Sequence, residues 1–526
     1  MPQLAELLQA IGPAPPLLNN EADTFSWSLT PKGNFTVQSL YEHLSAHILL
    51  NFQIAISTKF NKDQSRVILE YSPNLQDQWV SQQPLALVVG ISPYNMEALD
   101  SKFLDCGKPS KLKTSLWKVD LTLPQQPSKS SAPPPTQLIS CDRTHERYDV
   151  CSIHGPTTMD PTKSTFYLFD PTTPSDHHQK QKIRPYPRKW ETNIMSSLIK
   201  ELTLITSPSK IHCQIQHQAP ALVFSSGGYI GNLFHDFDDG FIPLFVTVRS
   251  IFPNGVHPIL VISKCHHWWI SKYTELLQRF TPYPIINLDN ETSTHCFPST
   301  TIGLISHGYM TINPKLLPNS ETFRDFRVLL GTAYAKTSHL QTGGPITRPR
   351  LVLVSRTGDR VGRVMVNEAE VVLLAKEVGF EVIIFEPNQF TWLSEAYGLI
   401  NRSHAMVGVH GAALTHSLFL RPGSVFIQIV PIGIDWLAET YFGQPTREMG
   451  LEYMEYKIEV NESSLVEKYG KDNLVLTNPK AVTKRVWSNT KNIYLKDQDV
   501  RVDLVRFGSY LRKAFKKAKR FMDKEG

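Results

Sequence analysis

The sequence predicts an α/β protein in which two Rossmann-like units face each other across a cleft. Three observations carry this reading. From residue 350 to 431, apolar runs and amphipathic stretches alternate in a βαβαβαβ rhythm. A second, less regular set spans residues 215 to 310. The apolar runs are also continuous rather than alternating, as strands covered on both faces of a parallel sheet must be.

Each element has its own signal. ALVFSS (Ala221–Ser226) and HPILVIS (His257–Ser263) read as buried strands, and WWISKYTELLQRF (Trp268–Phe280) has helical periodicity. RLVLVSR (Arg350–Arg356) opens the second set, and NEAEVVLLAKEVG (Asn367–Gly379) is a helix closed by its glycine. FEVIIFEP is the next strand, LSEAYGLINRS the next helix, and AMVGVHG the third strand. GAALTHSLFLRPG is predicted to be a helix and SVFIQIVP a strand, with right-handed crossovers throughout.

The 526 residues provide ample material for two cores, and 41% hydrophobic with 19% charged residues describes a globular chain. Net charge is only +6, and part of the excess sits in the tail Arg512, Lys513, Lys516, Lys517, Lys519, Arg520 and Lys524. That tail reads as a solvated helix face, so no nucleic-acid partner is expected. None of the six cysteines forms a CxxC pair, which excludes zinc-ribbon and thioredoxin-like readings. Four sequons (Asn34, Asn290, Asn401 and Asn461) favour a secretory route. Against it, no run of about 18 apolar residues forms a membrane span, and the first residues lack a signal-peptide pattern.

The start of the chain has a different texture. Within residues 1–45, Trp27, Gly33, Phe35, Val37, Ser39 and Tyr41 resemble the region that follows the reverse transcriptase of plant retroelements, and suggest a fused fragment. Residues 46–140 read as a variable stem and linker, ending in the Pro/Ser-rich stretch Gln126–Gln137.

Candidate chemistry lies where strands hand over to helices, the place where ligands bind in open parallel sheets. VGVHGAAL puts His410, Gly411 and Ala412 there; small residues admit a ligand and a helix start favours anions. Arg356, Arg360 and Arg363 fall in the first strand-to-helix loop of the same unit, and guanidinium forks suit a diphosphate. GVHGA is neither a P-loop nor GxGxxG, so nucleoside triphosphates and dinucleotides are not favoured. In the other unit, SSGGYIGNLFHDFDDG crowds His235, Asp236, Asp238 and Asp239 behind Gly227, Gly228 and Gly231. Crowded carboxylates suit general-base work. Asp236-Phe-Asp238 also spells DxD, a metal–diphosphate motif too short to be specific, and base or acceptor binding ranks above metal binding.

Taken together, CDRTHERYDVC (Cys141–Cys151), IRPYPRKWE, GGYIGNLFHDFDD, SRTGDRVGRVMVNE, VGVHGAALTHSLFLRPGSVFIQIVPIG and YLKDQDVRVDLVRF resemble plant glycosyltransferase family 61. The resemblance covers roughly residues 100 to 520. It implies a GT-B arrangement: an acceptor domain at 141–335, a nucleotide-sugar domain at 336–480, and a segment at 481–526 packing back across both. The implied activity is an inverting transfer of a pentose, xylose or arabinose, from a UDP-sugar to xylan or a related cell-wall glycan. An N-glycan xylosyltransferase and a non-catalytic protein of the same fold remain as alternatives. Asp236 is the first candidate for the base, followed by His235 and His410. Gly228, Asn232 and Asp239 are assigned to the acceptor. Arg356, Arg360, Arg363, Gly411, Ala412, Trp436 and Glu439 are assigned to the donor. Asn367 and Glu368 are read as helix-capping residues, and Tyr453 and Tyr456 as core. Cys141 and Cys151 are candidates for a disulfide, and Asn290, Asn401 and Asn461 for glycans. No cofactor is required, with a divalent metal left open. The family is normally membrane-anchored, which places the expected site of action in the Golgi lumen.

Overall fold

The computed structural model describes residues 138–172, 179–252, 255–336, 346–356, 362–484 and 486–525, together with four strands nearer the start. Those strands, Phe25–Trp27, Ile54–Asn61, Arg66–Pro73 and Ala86–Gly90, lie in a first unit, Met1–Lys129. They form one sheet in the order first, fourth, third, second. Apart from Phe25–Trp27, the retroelement-like stretch lies outside the described residues, as do Asn34 and Cys106.

The second unit, Ser130–Gly526, is mixed α/β with three sheets. Its C-terminal half follows the predicted rhythm. Strands Arg350–Val354, Glu381–Phe385, Ala405–Val409, Val425–Val430 and Glu452–Lys457 form one five-stranded, all-parallel sheet. Their apolar runs are continuous because helices cover both faces; Leu351, Val352, Met406, Val407, Phe426 and Ile427 are all buried. Burying a side chain of that size is worth about 1.5–3 kcal/mol. Spatially, Arg350–Val354 lies between Glu381–Phe385, which follows it in sequence, and Ala405–Val409. The winding direction therefore reverses between Arg350–Val354 and Ala405–Val409, and that switch point opens a crevice at their carboxyl ends.

The N-terminal half departs from the simple pattern. Ala221–Ser225, Ile259–Ser263, Ile286–Asn287 and Thr300–Ile302 are mutually parallel, but Val150–Ile153 and Ile139–Asp142 continue this sheet antiparallel. A further six-stranded sheet, built mainly from Thr157–Asp160, Thr165–Phe169, Leu202–Ser207 and Lys180–Ile183, flanks it. These short strands alternate buried and half-buried residues, as in Leu202–Ser207. Their hydrophobic signal is weaker than that of a strand buried on both faces. Here too the order reverses beside Ala221–Ser225, whose carboxyl end leads into the loop at Ser226–Asn232.

One buried cluster runs through both halves, uniting Phe224, Phe237 and Trp269 with Phe326, Met406, Leu414, Phe426 and Phe442. The last helix, Leu504–Glu525, lays Phe507, Leu511, Ala514 and Ala518 on the Glu368–Val378 helix and the parallel sheet. Its basic residues face outward, as amphipathic periodicity requires. Among the described residues no helix is long and apolar enough to cross a membrane.

Candidate active site

At the switch point of the parallel sheet, Arg356 follows the strand Arg350–Val354 and His410 follows Ala405–Val409. The two meet over Gly411: a Cβ there would strike the Arg356 guanidinium and come within 3.4 Å of Arg363 Nη1. Arg363 donates to the carbonyls of His410 at 3.2 Å and Leu495 at 2.9 Å. Burial and the neighbouring charge of Arg356 pull Arg363 down to about 9, and burial lowers Arg356 as well. Among the described residues neither guanidinium has an ion-pair partner, although Asp499 offsets Arg356 at a distance. Two desolvated cations held together in this way are stabilised by an anion placed between them. Arg360 lies outside the described residues. The segment Ala412–Phe419, expected to be an ordinary helix, is a 3-10 helix.

His410 is buried and held neutral by burial first and the two arginines second. Tyr453 donates its hydroxyl proton to Gln428 Oε1 at 2.7 Å, which turns the Gln428 amide nitrogen toward His410 Nδ1 at 2.8 Å. The neutral ring therefore carries its proton on Nε2 and can donate there. Tyr453, read from the sequence as core, is the outer member of this relay. Tyr456 is core and donates to Glu462.

The second cluster lies beyond the carboxyl end of Ala221–Ser225. Asn232 caps the turn Leu233–His235 by accepting from the Phe234 amide. The chain then widens into a π-helical turn, Asp236–Phe241, which brings three carboxylates into the interior. They divide into two groups. Asp236 accepts from Trp269 Nε1 at 2.9 Å, Tyr273 Oη at 2.8 Å and the Gly231 amide at 3.4 Å. Burial raises it to about 6 even so. Asp239 faces the other way. Its Oδ2 receives Tyr186 Oη at 2.9 Å and Arg188 Nε at 2.7 Å, and lies 2.9 Å from His235 Nδ1. Arg188 also reaches Glu191 at 2.5 Å and Asp238 at 3.2 Å. Burial opposes the charge on Asp239, but Arg188 and His235 outweigh it and hold the group below the usual carboxylate range. Burial and the charge of Asp239 push Asp238 up.

The structure therefore gives the predicted site residues unequal parts. Asp236, the first-ranked base, is enclosed by two aromatic donors, whereas His235 keeps 19% of its side chain exposed. Gly228, assigned to the acceptor, has a packing reason: its positive φ of 68° and missing side chain let the Tyr186 ring approach. Asn232 is engaged as a cap. Asn367 does not cap its helix; its amide clamps the backbone of Val502, and Glu368 accepts from Ser355. Glu439 is ion-paired with Arg447, and Trp436 packs against Tyr441 rather than over the arginines. His235, Asp238 and Asp239 converge as metal ligands would, but Arg188 already supplies the positive charge among them.

The two clusters adjoin. Leu233–His235 packs on Ala412–Phe419, and Phe234 lies 4.5 Å from Tyr441 and 6.0 Å from Phe442. Phe442 in turn meets His410 edge-on at 5.4 Å. Tyr186 and Arg188 escaped the sequence reading. They lie about fifty residues before their partners, and only the unusual density of IRPYPRKWE signalled them.

Covalent features complete the picture. Cys141 and Cys151 are disulfide-bonded, and so are Cys213 and Cys296, a pair the sequence left open; Cys265 is a buried free thiol. Asn290 and Asn461 are exposed. Asn401 is not, and its Nδ2, the atom a glycan would need, donates to the Phe419 carbonyl at 3.1 Å.

Comparison with known proteins approaches the same crevice from another direction. Residues 190–427 match the family described as Glycosyltransferase 61. Over 402 residues the chain is 42% identical to a xylan glycosyltransferase of Arabidopsis thaliana, covering 73% of this chain and 80% of that one. It is 36% identical to a beta-1,2-xylosyltransferase of Oryza sativa subsp. japonica, covering 72% and 84%. It is 35% identical to an alpha-1,3-arabinosyltransferase of the same plant, covering 71% and 64%. Similarity of this extent makes the chain a glycosyltransferase. It belongs to glycosyltransferase family 61.

Proposed function

We propose that the protein transfers a pentose from a UDP-sugar to xylan or a closely related glycan, with inversion at the anomeric carbon. The observation that carries this reading is the pair Arg356 and Arg363, packed over Gly411 without carboxylate partners, beside a turn that presents His235. In this reading the two halves of the Ser130–Gly526 unit act as the acceptor and donor domains of a GT-B arrangement, and the site serves the glycan classes named for the plant relatives.

The donor diphosphate lies between the two guanidinium groups, and His410 Nε2–H supplies a further hydrogen bond to it. His235 serves as base in place of Asp236. Its Nδ1 lies 2.9 Å from Asp239 Oδ2 and 3.0 Å from Arg188 Nη2, and in the tautomer that gives the Nδ1 proton to Asp239 the free lone pair is on Nε2. Nε2 takes the proton of the acceptor hydroxyl as that oxygen attacks the anomeric carbon. The bond from that carbon to the diphosphate oxygen breaks on the opposite face, and UDP leaves with the electron pair. Burial strengthens the stabilisation that the arginines give the charge developing on UDP. The Golgi lumen is the expected setting, consistent with two disulfides in an oxidising compartment.

The test is to incubate purified protein with UDP-xylose, UDP-arabinofuranose or UDP-N-acetylglucosamine and xylan, and to measure UDP release and the anomeric configuration of the product. Release with a pentose donor and an inverted product is expected. Silence with every donor, under conditions where UDP binds, would make this a non-catalytic member of the family.

A further inference from the structure

Four aromatic rings run in a row beside the catalytic cluster. Trp190 meets Tyr309 edge-on with centroids 5.9 Å apart, Tyr309 lies 5.2 Å from Tyr441, and Tyr441 lies 6.1 Å from Trp436. The row begins in the N-terminal half and ends in the C-terminal half. Its two ends are open: Trp190 exposes 40% of its surface and Trp436 exposes 51%. Single exposed rings are ordinary on a protein surface, but these two cap one continuous aromatic row, and a contiguous apolar feature marks a binding groove. The row also passes directly by the chemistry, since Tyr441 packs on Phe234, the residue before His235.

One cation is built into the row. The Arg147 guanidinium rests 3.9 Å from the Tyr309 ring centre and 4.6 Å from that of Trp190. Among the described residues it has no close ion pair or hydrogen bond, although its charge reaches Asp238, and its Nε is buried and unsatisfied. Arg188, by contrast, lies 5.5 Å from Trp190 with its donors fully engaged on Glu191, Asp238 and Asp239. Arg147 thus holds two rings in place and still has N–H donors to offer.

We propose that Trp190 and Trp436, the two open ends of the row, with Tyr309 and Tyr441 bracing them and Arg147 beside them, form the subsite that holds the polymeric acceptor, each tryptophan stacking on a neutral sugar residue of the same chain. This rests on the transferase reading and deepens it by naming where the chain of the acceptor lies. The chemistry matches in three ways. A pyranose presents a face of C–H bonds, which complements the negative face of an aromatic ring. The two exposed tryptophans stand at opposite ends of the row, so a chain of several sugars can contact both, whereas a nucleoside would occupy a single ring. Arg147 has N–H donors placed to reach ring hydroxyls, and its charge also bears on Asp238. Trp436, assigned from the sequence to the donor, moves to the acceptor. Because the rings and Arg147 are already locked against one another, little ordering cost remains on binding.

The test is donor-free binding of xylo-oligosaccharides of increasing length, read by tryptophan fluorescence and calorimetry, in the whole protein and in Trp190→Ala, Trp436→Ala, the double variant and Trp190→Phe. Affinity in the unaltered protein is expected to rise with length. Each alanine variant should weaken the longer ligands about tenfold, the double variant should abolish the length dependence, and Trp190→Phe should restore most of it. Equal affinities in all proteins, no dependence on length, or displacement of the oligosaccharides by UDP would overturn the subsite. A protein that binds oligosaccharides in this way yet releases no UDP from any donor would defeat the transferase reading and leave the subsite standing.

Discussion

Arg188 and Arg363 both sit in loops beyond strand ends, the first buried and the second partly so, and their electrostatic situations are opposite. Arg188 is ringed by Glu191, Asp238 and Asp239, and its affinity for the proton rises despite burial. Arg363 has backbone carbonyls and another arginine for company, and falls to about 9. The first is a satisfied ion network that holds a loop, a π-helical turn and His235 in register. The second is a partly desolvated cation met by backbone carbonyls, with no ion-paired carboxylate among the described residues. Burial alone does not mark a functional arginine; burial without a countercharge does.

That comparison can be broken in order of expected effect. Arg188→Ala strands Asp238 and Asp239 in the interior and should cost about 3–5 kcal/mol of stability, read by denaturant unfolding. A loss below about 1 kcal/mol would show that the network is not structural. Arg356→Ala and Arg363→Ala should leave unfolding almost unchanged while lowering kcat/KM by about 10²–10³, with UDP affinity falling in parallel in calorimetry. If they unfold the protein instead, the two arginines differ less than the geometry indicates.

Within the acidic turn, His235→Ala should lower kcat by about 10²–10⁴ with little change in UDP affinity, because it removes the proposed base and leaves the proposed donor cradle. Asp236→Asn should cost less than about tenfold, since the amide oxygen can still accept from Trp269 and the amide nitrogen can donate to the Tyr273 hydroxyl oxygen. A larger loss for Asp236→Asn than for His235→Ala would return the base role to Asp236. Asp236 also predicts a pH signature. Its folded pKa of about 6 is raised above that of the unfolded chain, so the folded state takes up a proton first as pH falls through 6. Stability from this group therefore increases on acidification toward the ordinary carboxylate range, and Asp236→Asn should flatten that part of the stability profile.

The smallest effect concerns Arg363 itself. Above pH 9 it begins to lose its proton in the folded state while the unfolded chain retains it, so its own contribution to stability rises with pH. UDP needs the cation, so the thermal stabilisation by saturating UDP should shrink between pH 8 and pH 10. Constant stabilisation over that range would mean that Arg363 does not touch the diphosphate.

Much of the fold is legible in the amino-acid sequence. Strands buried on both faces announce themselves through continuous apolar runs, so four of the five parallel strands can be read, and with them the meeting of Arg356 and His410; the fifth, Glu452–Lys457, is mostly half-buried and carries no such run. The mainly antiparallel sheet at residues 157–207 cannot, because its strands are short and half-buried and their alternation is weak. Within HDFDD the sequence shows that acids crowd together, but not which way each one points.

What the sequence by itself determined is therefore local: strand and helix order, the arginine loop, the small residues after His410, and an acidic turn. What only the tertiary structure decided is the pairing of polar groups far apart along the chain. Asp239 with Tyr186 and Arg188, Asp236 with Trp269 and Tyr273, His410 with Gln428 and Tyr453, and Cys213 with Cys296 are all of this kind. The physical reason is that hydrophobic periodicity is set by neighbours a few residues away. A hydrogen bond or an ion pair carries no period, and exists only once the core has brought its partners together.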